Sequence, residues 1–75
     1  MDVRSAIEEA RGMLDRGDDK AAARTLTDAA VACQDPETAR EIRALGERGL
    51  ASAGRFSKGR WQEVIRLADK HGAAV

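Results

Sequence analysis

The sequence predicts an all-α fold: four helices arranged as two consecutive antiparallel hairpins around one small core. Three observations carry that expectation. Apolar residues recur at the i, i+3, i+4, i+7 spacing of a helical face in four successive segments. Gly17 and Gly59, 42 residues apart, open similar stretches, Gly17-Asp18-Asp19-Lys20-Ala21-Ala22-Ala23-Arg24 and Gly59-Arg60-Trp61-Gln62-Glu63-Val64-Ile65-Arg66. No stretch shows the alternating, β-branched pattern of a strand. Hairpins echoed at a period of about 20–50 residues are the signature of stacked helical modules that bind other proteins.

The first helix is expected over residues 2–16, with Val3, Ala6, Ile7, Ala10, Met13 and Leu14 on its inner face. Asp2 can cap it, Ser5 and Glu8 form a second capping box, and Gly17 suits the left-handed position after its end. Asp18 then serves as N-cap of a second helix over 18–33, whose buried stripe is Ala22, Leu26, Ala29, Ala30 and Cys33. So short a turn folds the two helices back antiparallel.

Asp35-Pro36-Glu37 is the strongest helix start in the chain. The Asp caps, the Pro takes the first helical position without losing a needed donor, and the acid meets the positive helix end. The third helix runs over 36–53 with Ala39, Ile42, Leu45, Gly46, Gly49, Leu50 and Ala53 inward, and Gly54 ends it. Gly46 and Gly49 each cost about 1 kcal/mol relative to alanine inside a helix. Either another helix crosses them closely, or the third helix is bent or frayed there. The fourth helix, over 58–71, buries Trp61, Val64, Ile65 and Ala68, flanked by Leu67. Ser57 is its expected cap, with Phe56 and Trp61 placed as a hydrophobic staple.

With 75 residues the chain makes one domain, residues 1–75, whose core supplies roughly 3–5 kcal/mol. No apolar run approaches the ~20 residues of a membrane helix, and Met1-Asp2-Val3-Arg4 does not read as a secretory signal. A single cysteine, Cys33, forms no internal disulfide and fits a reducing cytoplasm, while the Ala, Arg, Gly and Asp content points to a GC-rich bacterial genome. Net charge is zero but lopsided: residues 1–39 carry nine acids and five bases, residues 40–75 eight bases and four acids. Such halves attract one another within the fold, pair copies head to tail as a homodimer, or steer a charged partner.

Gly17-Asp18, with Ala22, Leu26 and Ala29 following the glycine by five, nine and twelve residues, resembles the second half of a tetratricopeptide repeat. Met13 stands where that family keeps an aromatic, and Asp35-Pro36 resembles its closing Asp-Pro, displaced by two residues. Gly59, Trp61, Glu63 and Val64-Ile65 resemble its Gly-x-Tyr-x-Glu-Ala-Ile portion. The first helix lacks the family's Trp, Leu-Gly and Tyr markers, the third is several residues too long, and Val64 replaces a small residue. An unrelated four-helix bundle is the competing architecture. The resemblance implies a non-enzymatic protein–protein interaction module, its first and third helices lining a shallow concave face. On that face it sets Arg4, Arg11 and Asp15 with Arg40 and Arg43, and several arginines together suit an acidic peptide or a terminal carboxylate. Solvated arginines paired along their own helices with Glu8, Glu37, Glu41 or Glu47 account for the same residues.

Other constellations give less. His71 and Cys33 assemble no zinc set, Asp15, Asp18 and Asp19 lack the ligand spacing of a calcium loop, and no phosphate loop, nucleophile elbow or carboxylate pair occurs. No enzyme, cofactor or metal is expected. The alternative function is nucleic-acid binding by Arg55, Lys58 and Arg60, interleaved with Phe56 and Trp61, since cations grip phosphates and rings stack on bases. Overall neutrality and the core's need for both rings count against it.

Overall fold

A computed structural model describes residues 2–55 and 57–73, without the side chains of residues 71–73. Helices α1 (Val3–Asp15), α2 (Asp19–Ala32), α3 (Pro36–Ser52) and α4 (Lys58–Ala73) follow one another with no strand among the described residues. Phe56, and with it the expected staple to Trp61, lies outside the described residues, as does the side chain of His71.

Helices α1 and α3 begin where a side chain satisfies their first backbone donors, and α1 ends in a turn that satisfies its last acceptors. Asp2 accepts from the backbone N–H of Arg4 at 3.1 Å and from the hydroxyl of Ser5 at 2.8 Å, closing the start of α1. Ser5 is thus the Asp2 carboxylate's donor and not a second cap. The end of α1 is a Schellman turn: Asp18 N–H donates to Met13 C=O at 2.8 Å, Gly17 N–H donates to Leu14 C=O at 3.1 Å, and Gly17 sits at φ 80°.

That turn removes Asp18 from the role expected of it. Its φ and ψ of −88° and 68° are not the extended geometry of a capping residue, and its carboxylate makes no capping hydrogen bond to α2. Asp35 does cap α3, accepting from Thr38 N–H at 2.9 Å and Thr38 Oγ1 at 2.8 Å, with Pro36 in the first turn. The far end of α3 stops at Ser52 because Ala53 turns extended, at φ −73° and ψ 140°. Gly54 therefore follows the exit without supplying a left-handed cap.

The inner stripes meet in one core. Ile7, Leu26, Ile42, Trp61 and Val64 are its largest fully enclosed side chains, and Cys33 joins it as a small apolar residue whose thiol donates to Asp35 C=O at 3.2 Å. Ile65, Met13 and Leu50 lie at its edge, half-buried. The paired helices α1·α2 and α3·α4 share the most extensive contacts. Helix α2 also touches both α3 and α4, whereas α1 and α4 do not meet among the described residues.

The two glycines inside α3 resolve the open alternative in favour of a close crossing. A Cβ on Gly49 would lie 2.5 Å from Trp61 Cδ2, and one on Gly46 would lie 3.0 Å from Ile65 Cγ1. Helix α3 runs unbroken through both, and α4 lies directly against their bare backbone.

Candidate functional site

Helices α1 and α3 run side by side in the same direction, as the matching order of two ion pairs between them shows. Near their starts Arg4 Nη1 lies 3.5 Å from Glu41 Oε2, a shielded atom with no hydrogen bond of its own. Near their ends Arg48 donates to Asp15 at 2.6 Å. Asp15 belongs to the acidic half of the sequence and Arg48 to the basic half, so part of the charge asymmetry is used inside the fold.

Arg11 lies between Arg4 and Asp15 on the same stripe of α1 and pairs with Glu8 at 3.1 Å. The seam between α1 and α3 therefore carries the guanidinium groups of Arg4, Arg11 and Arg48, with side chains 62%, 46% and 48% exposed. Exposed pairs of this kind are each worth about 0–1 kcal/mol, so they exchange readily for an incoming carboxylate.

The other two arginines expected on that face lie elsewhere on α3. Arg43 turns toward α4, bridging Asp69 at 3.3 Å and Glu47 at 3.2 Å. Arg40 is exposed and has no ion pair among the described residues. On a helix, residues 40 and 41 are separated by about 100°, so the residue beside Glu41 cannot share its seam. Arg4 and Arg11 thus share one stripe of α1, two turns apart, while Arg43 is turned toward α4.

Arg55 is exposed in the turn before α4, and Lys58 and Arg60 are exposed on its first turn. Trp61 is fully buried, so its ring is closed to a stacked base. Along α4, Glu63 accepts from Arg66 Nε at 2.9 Å, which holds the Glu63 carboxyl below its ordinary value and raises the Arg66 guanidinium.

Arg60 also borders an open depression of about 570 Å³ whose floor is the outer surface of α2, with Lys20, Arg24, Thr25, Thr27 and Asp28 among its walls. The sequence reading missed this surface. Its signal was present as the spacing of Ala21, Arg24, Asp28 and Val31, three, four and three residues apart on the side of α2 opposite the buried stripe. The approach of Arg60 was not legible, because it depends on α4 packing against α2.

Among the described residues no three His, Cys, Asp or Glu side chains gather as a metal site. No described helix is long and apolar enough to cross a membrane. Compared with family models, with curated proteins and with solved structures, the chain matches none.

Proposed function

We propose that the chain is a non-enzymatic protein–protein interaction module, built as degenerate tetratricopeptide-like hairpins, that offers its α1–α3 face to an acidic peptide or protein segment. The observation that carries this reading is the set of exposed guanidinium groups of Arg4, Arg11 and Arg48 along the parallel helices α1 and α3, which the pairs Arg4–Glu41 and Asp15–Arg48 link. Guanidinium groups spaced along one face bind successive carboxylates in a two-pronged fashion, and their present partners are weakly held. Arg40 lies off the seam on α3, exposed and with no ion pair among the described residues, and Arg43 is held by Glu47 and Asp69 on the side toward α4. A bacterial cytoplasm is the setting that the lone thiol and the composition favour.

Titration of isotope-labelled protein with Asp- and Glu-rich peptides tests the reading by nuclear magnetic resonance. Amide shifts are expected on α1 and α3, and the double variant Arg4→Ala, Arg11→Ala should weaken binding about tenfold or more. The reading fails if no such peptide shifts these helices.

The nucleic-acid alternative keeps one supporting observation, the exposure of Arg55, Lys58 and Arg60 around the start of α4. It requires salt-sensitive oligonucleotide binding centred on residues 55–61. The fully enclosed ring of Trp61 weighs against it.

A further inference from the structure

The outer surface of α2 carries an exposed cation and an exposed carboxylate without ion-pair partners among the described residues. Elsewhere Arg4, Arg11, Arg43, Arg48 and Arg66 all find carboxylates. Arg24 and Asp28 are exposed on the same helix, four residues apart, yet among the described residues neither has an ion pair. One turn beyond them stands Val31, 60% exposed, the one large apolar side chain so placed among the described residues. One turn before them is the half-buried Ala21.

These four residues have the 3-4-3 spacing of a helix–helix seam. Laid antiparallel against itself about a twofold axis at the level of Leu26, the surface is its own complement. Arg24 meets Asp28 of the second copy, Asp28 meets its Arg24, and each Val31 covers the other copy's Ala21. Thr25 and Thr27 fall opposite one another on the flanks. A point-symmetric interface needs this property, that residue i meets j while j meets i.

We infer that the outward face of α2 is a docking surface for a second copy of this chain, forming an antiparallel α2–α2 dimer. The depression beside Arg60 gives the partner helix its seat. A simple anion suits the site less well, because Asp18 and Asp28 line the same depression as Lys20, Arg24 and Arg60. One helix pair buries less than the ~1,000 Å² of a stable interface, so the association belongs to the weak, concentration-dependent class. This face is separate from the α1–α3 seam, and failure of acidic peptides to bind there leaves the dimer standing.

Sedimentation equilibrium over a range reaching about 1 mM, where weak interfaces associate, is the test. The wild-type mass should climb from 8.1 kDa toward twice that value. Arg24→Asp alone and Asp28→Arg alone should each stay monomeric, because like charges then face across the axis. An equimolar mixture of the two should recover the dimer, since each supplies the charge the other needs. Circular dichroism verifies that both variants are folded, and on dilution of the wild type the amide shifts should map to α2. A wild type that remains monomeric overturns the inference. So does a dimer that both single variants retain, a mixture that fails to associate, or dilution shifts centred on another helix.

Discussion

Gly49 of α3 lies flat against the indole of Trp61 in α4, so near that a methyl group on Gly49 would overlap the ring at Cδ2, Cε2 and Cε3. The missing side chain is what admits the largest residue of the core, and the ring in turn is fully enclosed. The two residues specify one another: a bulkier position 49 expels the ring, and a smaller position 61 leaves a void that Gly49 cannot fill.

Gly49→Ala should therefore destabilise the protein even though alanine is the better helix former. Propensity contributes about 1 kcal/mol in its favour, but crowding a rigid, enclosed ring costs about 1–3 kcal/mol. A lower thermal midpoint together with altered near-ultraviolet circular dichroism of Trp61 is expected. Gly46→Ala should cost less than Gly49→Ala, since the atoms met there are Ile65 Cγ1 at 3.0 Å and Val64 Cγ1 at 3.1 Å, where a shift of a few tenths of an ångström suffices. Equal destabilisation by the two substitutions would contradict this account.

Trp61→Ala should abolish folding, because removing a buried aromatic costs about 3–5 kcal/mol and a domain of this size holds little more. Trp61→Phe should be far milder. It leaves a smaller void, and it also removes Trp61 Nε1, a buried donor with no hydrogen-bond partner. An orphaned donor costs about 1–3 kcal/mol, which offsets much of the lost packing. Urea unfolding followed by far-ultraviolet circular dichroism distinguishes the two variants.

Gly17→Ala should cost about 1–2 kcal/mol through the backbone alone. Nothing lies near enough to touch the added methyl, but φ is +80°. Gly54→Ala is the matched control: its surroundings are equally open and its φ is not positive, so the thermal midpoint should hold or rise slightly. Equal losses at both sites would show that the turn after α1 does not depend on its left-handed residue.

Acid should weaken the helix starts as their capping carboxylates take up protons. Thr38 donates its backbone N–H and its hydroxyl to Asp35, and Ser5 donates likewise to Asp2, so both carboxyls lie below their ordinary value of 3.8. A carboxyl whose folded value is depressed contributes stability above its unfolded value, and that contribution is lost as pH falls through the folded one. Stability should thus decline as pH drops below about 4, and Asp35→Asn should flatten that decline. A slope unchanged by Asp35→Asn would remove the Thr38 hydrogen bonds from the explanation.

The helices were legible in the sequence because their signals are local. Asp35-Pro36 and Gly17 act within a few residues, and the Ala22, Leu26, Ala29 and Cys33 stripe is read from spacing alone. Asp18 was misjudged because the Schellman turn next to it fixes its backbone outside capping geometry. The site was legible only in part. Arg4 and Arg11 share a stripe visible in the sequence, whereas Arg43 was drawn to Asp69, 26 residues further on, by the packing of α3 against α4. Composition could not show which of two solvated sides an arginine on α3 would occupy.

Helix α2 touches every other helix, while the first and last do not meet among the described residues. Most interactions consequently join segments that are neighbours along the chain, so little loop-closure entropy stands between the disordered polymer and the native one. Such topologies fold in microseconds to milliseconds. For this chain the last event to expect is the docking of one terminal rod onto a partly built trimer centred on α2, and the first to expect on unfolding is its release.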